Sequence, residues 1–257
     1  FDFTTLCTMK PSVLDDGSVL CTRWEYQDKN IFMWQGLWTL LPDGRQLQLY
    51  FGNTLTVPNS RYGGKPVPGT RDVLLTMAAH HHPPIGDIAV LSRRVGMENP
   101  AALHKVTFET PYAITAGENW LHANWGPGDR FYPSAVTDPW PLSDGLFLAS
   151  FGSANASSQG FRLYVCRYDG TRYPLREVGE NVFSAMPLRA RPLPATSIRG
   201  EAPQEAGEGT FYVQNVYRGL AEQGVQSGQV KALRVMRQLP KKWNTEGPRF
   251  HDHYPIV

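Results

Sequence analysis

Four Asp-Gly pairs, Asp16-Gly17, Asp43-Gly44, Asp144-Gly145 and Asp169-Gly170, punctuate the chain, each set between short apolar runs. An Asp-Gly pair supplies the positive φ angles that a tight hairpin turn requires, and the apolar and β-branched residues around it are strand formers. The pairs are also spaced as a repeat: the second follows the first by 27 residues, and the fourth follows the third by 25. Both Pro11 to Arg23 and Pro139 to Phe151 read Pro-x-x-Leu-x-Asp-Gly followed by an apolar run. Each copy predicts strand, turn, strand, an excursion, then strand, turn, strand. That is roughly forty residues of four-stranded antiparallel sheet, the size of a propeller blade.

A weaker third copy begins at Lys65-Pro66, with Gly69 preceding a strand at Asp72–Met77 and a second strand at Asp87–Leu91. The anchor prolines Pro11, Pro66 and Pro139 are then 55 and 73 residues apart, more than one blade, so excursions or a degenerate blade are expected between them, most of all across Val106–Phe131. The fold class expected is all-β: a β-propeller-like array of antiparallel, WD40-like blades, a partial piece of about four to five blades from a larger propeller. Residues 1–195 read as the blades. Residues 196–240 read as a loop plus further strands of the same propeller, at Thr210–Val216 and Val230–Gln238, where Val230 and Leu233 would also fit a helix, and 241–257 as an irregular tail.

Composition narrows the function classes. With 24 Gly and 21 Pro in 257 residues, the chain falls below the share that marks low complexity. The net charge is +2, from 25 basic and 23 acidic residues, and the longest basic runs are pairs, so no field steers nucleic acid or an anionic membrane. No apolar stretch approaches the ~18–20 residues of a membrane span. The chain begins Phe-Asp-Phe without a leader pattern, which reads as a fragment or a mature product. Cys7, Cys21 and Cys166 form no Cys-x-x-Cys or Cys-x-x-Cys-His, so a zinc ribbon of usual spacing and haem attachment within the segment are not expected. Three buried thiols is the simplest reading, with a Cys7–Cys21 disulfide as the alternative.

Candidate chemistry is sparse. His80 and His82 share one strand face at i, i+2 and are the candidate metal ligands, with Asp87 the nearest acid; the competing reading is a strand end whose imidazoles bond backbone groups. His251-Asp252-His253 in the tail is a second candidate pair, with a frayed, solvated tail as the competing reading. Trp24, Tyr26, Phe32, Trp34 and Trp38 crowd one excursion and read as packing between sheets, or as a stacking surface together with Trp120 and Trp125. Arg23-Trp24-Glu25-Tyr26 alternates as a strand with one buried face. Gly-x-Ser-x-Gly and a P-loop are absent, and Gly126-Pro127-Gly128-Asp129 lacks the strand–helix setting of a dinucleotide fingerprint. No catalytic or cofactor-binding residue is assigned; Asp16, Gly17, Asp43, Gly44, Asp144, Gly145, Asp169 and Gly170 are structural turn residues.

The run from Pro11 to Tyr26, with Asp28-Lys29-Asn30, resembles the middle domain of the hydrazine synthase alpha subunit and its bacterial relatives. Leu37 to Gly44, Tyr50 to Asn53, Ala78 to His81 with Gly86-Asp87-Ile88, Pro141-Leu142-Ser143, Pro187 to Pro192, Val216 to Leu220 and Val230 to Val235 continue the likeness, which spans roughly 8–240. The resemblance implies a TolB-like propeller domain set in a larger exported, periplasmic protein. It implies c-type haem only in flanking regions of the parent, and flanking haem domains or partner subunits as its partners. The function expected is a non-catalytic scaffold or interaction domain. The alternatives are a structural part of a multihaem oxidoreductase, or a carbohydrate- or peptide-binding or hydrolytic propeller.

Overall fold

The computed structural model describes residues 6–25, 34–78, 84–109, 134–152, 160–175, 181–195 and 211–235. Two compact units divide the chain, residues 1–197 and 198–257.

The described residues of the first unit hold twelve strands arranged as three successive four-stranded meanders. The first blade is β1 (Leu6–Val13), β2 (Val19–Glu25), β3 (Gln35–Leu40) and β4 (Gln48–Phe51); the second is β5 (Ser60–Pro66), β6 (Val73–Ala78), β7 (Gly86–Leu91) and β8 (Leu103–Lys105). The third is β9 (Ala135–Pro141), β10 (Leu146–Gly152), β11 (Arg162–Arg167) and β12 (Arg172–Pro174). Within a blade, neighbours pair antiparallel along their length. Between blades a single bridge remains, Gln35 with Ser60 and Gly86 with Val136. The architecture is therefore all-β and propeller-like, an open array rather than a continuous flat sheet. The described residues hold three blades where about four to five were expected. The long interval after β8, read as a site for a degenerate blade, lies mostly outside the described residues.

Side chains from facing blades close two cores. Leu14, Leu20, Leu37, Tyr50 and Phe51 of the first blade meet Val73, Leu75, Met77, Ala89 and Leu91 of the second. Val67, Leu74, Ile88 and Val106 meet Val136, Phe147, Ala149, Phe151 and Cys166 of the third. Strand β6 feeds both cores, odd positions to one side and even to the other, which is why all six of its residues are buried. Each fully buried Val, Leu or Phe in such a layer contributes about 1.5–3 kcal/mol.

Three Asp-Gly turns share one geometry. Gly17 N donates to Leu14 O, Gly44 N to Leu41 O and Gly170 N to Arg167 O. The glycines sit at φ 82°, 84° and 89°, while the preceding aspartates do not take positive φ. Each aspartate instead accepts, through Oδ1, the backbone N–H two residues on: Ser18, Arg45 and Thr171. These are type I turns followed by a bulge glycine rather than two-residue turns with two positive φ values. The Asp144-Gly145 turn departs from the set. Gly145 has no positive φ, and Ser143 Oγ closes the turn by accepting from Gly145 N and Leu146 N at 3.1 Å each. Gly17→Ala, Gly44→Ala and Gly170→Ala are therefore each expected to cost about 1–2 kcal/mol in urea unfolding, and Gly145→Ala less than about 0.5 kcal/mol. An equal cost at all four positions would contradict the assignment.

Strand pairing also corrects the third repeat. Val13, Pro66 and Pro141 each end the first strand of a blade, opposite Val19, Val73 and Phe147. The residue equivalent to Pro11 and Pro139 is thus Gly64, and Pro66 is two positions out of phase.

In the second unit, the described residues carry no strand. Phe211, Tyr212, Leu233 and Val235 are exposed, and the local order is a set of turns around a 3-10 segment at Ala221–Gln223. The strands expected at Thr210–Val216 and Val230–Gln238 have apolar alternation, but no sheet edge pairs with their described residues. Without that pairing, alternation alone does not make a strand.

Candidate functional site

Each blade carries the same irregularity in its first strand. Between Met9 and Ser12, Tyr62 and Lys65, and Thr137 and Trp140, one extra residue interrupts the register. The bulged residues Lys10, Gly63 and Asp138 all take left-handed φ, at 48°, 67° and 49°. Pro11, Gly64 and Pro139 follow them, residues that fit poorly inside a regular ladder. The first strands lie together: a Cβ at Gly63 would stand 3.8 Å from Lys10 Cβ.

Two of the bulged residues, Lys10 and Asp138, bring their side chains together between the first and third blades. Lys10 Nζ lies 3.2 Å from Asp138 Oδ1 and donates to Ser184 Oγ at 3.1 Å. Ser184 N and Oγ both donate to Asp138 Oδ2, at 3.2 and 2.9 Å. Lys10 also lies 6.0 Å from the Tyr62 ring centre, and Lys65 Nζ and Arg191 Cζ lie 5.5 and 5.4 Å from that of Trp140. Burial holds the Lys65 amine below its ordinary value, and the nearby Lys10 charge pushes it further the same way. Burial raises the Tyr62 phenol, which Lys10 partly offsets.

Ser184 and Arg191 belong to an extended strap, residues 181–195. It bonds to the third blade through Val182 N to Phe161 O at 3.1 Å and Arg189 Nη2 to Leu142 O at 2.6 Å. It then reaches the first blade, where Ala195 N donates to Asp15 O at 2.9 Å. Its apolar side chains Phe183, Met186, Leu188 and Leu193 are exposed, the two leucines almost completely.

A second polar cluster joins the second and third blades. Asp87, fully buried on β7, pairs with Lys105 Nζ at 2.8 Å and accepts from Thr107 Oγ1 at 3.0 Å and Glu109 N at 2.7 Å. The Glu109 carboxylate is held by Arg172 and Ser134. Arg172 also covers the Phe151 ring at 4.4 Å. Beside this cluster lies a cavity of about 290 Å³ lined by Phe108, Glu109, Phe151, Cys166 and Arg172. Burial pushes the Cys166 thiol up to about 12, so it is protonated at neutral pH and is no nucleophile. The carboxylates here are tied to cations and backbone donors, an arrangement that fastens blades together.

The expected site residues fare as follows. His80 and His82 lie outside the described residues, as do Tyr26, Phe32, Trp120, Trp125 and His251 to His253. Asp87, taken as the acid nearest the histidines, is held by Lys105. Among the described residues no group of His, Cys, Asp and Glu could hold a metal ion. None of the three cysteines forms a disulfide; Cys7 is exposed and Cys21 and Cys166 are buried. Cys7 stands opposite Trp24 in the β1–β2 register, which leaves the Cys7–Cys21 bridge unformed. Trp24, Trp34 and Trp38 are half-buried. Arg23 reverses the expected face: it is buried, 3.2 Å from Glu25 and 5.7 Å from the Trp38 ring centre. Lys10, Lys65, Asp138, Trp140 and Ser184 were not singled out by sequence. The available signal was a Lys-Pro or Asp-Pro step inside an otherwise good strand.

No family model matches the chain, and no curated protein matches it. Among solved structures, the chain is similar to Kuenenia stuttgartiensis hydrazine synthase, with 16% identity and a TM-score of 0.42 over 63% of this chain and 18% of that one. The likeness is distant and structural, and it spans less than a fifth of the matched chain. No helix among the described residues is long and apolar enough to cross a membrane.

Proposed function

We propose that this chain is a non-catalytic propeller module that holds a partner, set in an exported protein related to the hydrazine synthase alpha subunit. The observation that carries the reading is the strap: Leu188 and Leu193 stand out almost fully exposed on an extended segment that is itself anchored at both ends. Apolar side chains displayed on an anchored, proline-rich backbone lose little further entropy on docking. The ion pairs Lys10–Asp138 and Lys105–Asp87, by contrast, are used to join strands and blades. In this reading the partner is a flanking domain of the parent or a second subunit. Any c-type haem sits in those flanking parts, and the module itself takes no cofactor. The hydrazine-synthase-like parent is supported by the residue runs that resemble that family.

The test is a photo-crosslinking amino acid at Leu188 in the full-length protein, expressed in its own host, with the exposed turn residue Arg45 as the control position. The expected result is a discrete crosslinked product at Leu188 and none at Arg45. Equal labelling at both positions, or none at either, overturns the reading.

A further inference from the structure

We propose that the cavity between the second and third blades binds a small aromatic carboxylate, its ring against Phe108 and Phe151 and its oxygens on Arg167 and Arg172. The cavity measures about 290 Å³, and both rings and both guanidiniums line it. That is the lower end of the usual range for small-molecule sites, room for one ring and its substituent rather than for a larger body. It forms where the Asp169-Gly170 turn of the third blade meets the end of the second: a Cβ at Gly170 would stand 3.7 Å from Val106 O. No strap residue lines it, so this site and the partner surface are made of different residues.

The buried share of the lining is apolar: Val106, Phe151 and the protonated Cys166 thiol. Phe108, at 75% exposure, is a large aromatic that the fold leaves in water beside the cavity. A ring bound there covers both surfaces, which a carboxylate with no apolar body would leave wet. The polar share supplies donors in excess of acceptors. Both Glu109 oxygens are engaged, by Arg172 and Ser134, and Thr107 Oγ1 donates to Asp87. Arg172 holds Glu109 through Nη1 alone, and Arg167 holds Asp169 through Nε at 3.2 Å. Among the described residues, Arg172 Nε and Nη2 and Arg167 Nη1 and Nη2 have no further hydrogen-bond partner. Each acid neutralises one guanidinium, so the unused N–H groups rather than a net charge select the ligand, and they suit a group that only accepts. Arg172 lies 4.4 Å from the Phe151 ring centre, which sets its donors directly beside the apolar wall.

The experiment is saturation-transfer NMR on the full chain with benzoate and, separately, with benzamide and with acetate as a competitor. Saturable transfer to the benzoate ring with a millimolar dissociation constant is expected. Benzamide, which lacks the charge, is expected to bind about tenfold more weakly, and acetate, which lacks the ring, to leave benzoate in place at equal concentration. Arg167→Gln and Phe108→Ala are each expected to weaken benzoate about fivefold or more. Both side chains are exposed, so these variants keep the test valid where Arg172→Gln fails to fold. Arg45→Gln removes the same kind of Arg–Asp turn pair from the first blade and is expected to leave binding unchanged. No saturable signal, benzamide bound as tightly as benzoate, acetate displacing it freely, or wild-type affinity in both folded lining variants overturns the assignment.

Discussion

Arg61→Ala is expected to destabilise the fold by about 3–5 kcal/mol in urea unfolding followed by tryptophan fluorescence. Arg61 lies on β5 with no exposed surface. Its Nη1 donates to Leu55 O at 2.9 Å and Pro58 O at 2.5 Å, and Nη2 to Gly52 O at 2.5 Å. The crossover from the first blade to the second therefore folds around one guanidinium. Gly52, at φ 80°, completes the cradle, because a Cβ there would stand 3.0 Å from Arg61 Nε. Glu98 braces the same loop by accepting from Asn53 N and Thr54 N, at 2.7 and 3.0 Å. Burial pulls the guanidinium down to about 10, still protonated at neutral pH. Truncation leaves three carbonyls without their donor, two of them in a buried site. An apolar Met in its place is expected to do little better, since it fills the volume but satisfies none of them. A loss below about 1 kcal/mol for Arg61→Ala would show that the crossover is held by something else.

Gly86→Ala is expected to cost about 3 kcal/mol or more, by steric conflict rather than lost bonding. A Cβ at Gly86 would meet Met77 O at 2.0 Å and Met77 C at 3.2 Å, both backbone atoms. Relief requires the β6–β7 ladder to part where Ala78 pairs with Gly86. Gly86 also makes the single bridge to Val136 that joins the second blade to the third. The substitution therefore strikes within a blade and between blades together. Lowered stability with an unchanged denaturant slope is the expected signature, and a melt like that of the wild type would refute the close approach.

The blade was legible in sequence because its information is local. Asp16-Gly17, Asp43-Gly44 and Asp169-Gly170 announce their turns through residues adjacent in the chain, and the apolar runs beside them became strands β1, β2, β3, β10 and β11. The phase of the second blade was harder. Gly64 occupies the place held by Pro11 and Pro139, and Pro66 nearby offers a false match. What lies farther apart was hidden. Arg61, between Ser60 and Tyr62, looks like any polar strand position until the 52–59 loop closes over it. Likewise nothing near Lys10 announces Asp138, 128 residues away. Phe211 to Val213 shows the converse, an alternating pattern whose fate depended on a pairing edge that sequence does not display.

The repeated bulges separate display from pairing. Lys10, Gly63 and Asp138 each sit off the ladder at the same station, with regular strand pairing on either side. One chain thus carries a base, a glycine and an acid at the same point of three blades, so the flanking ladder is compatible with side chains of opposite charge or with none.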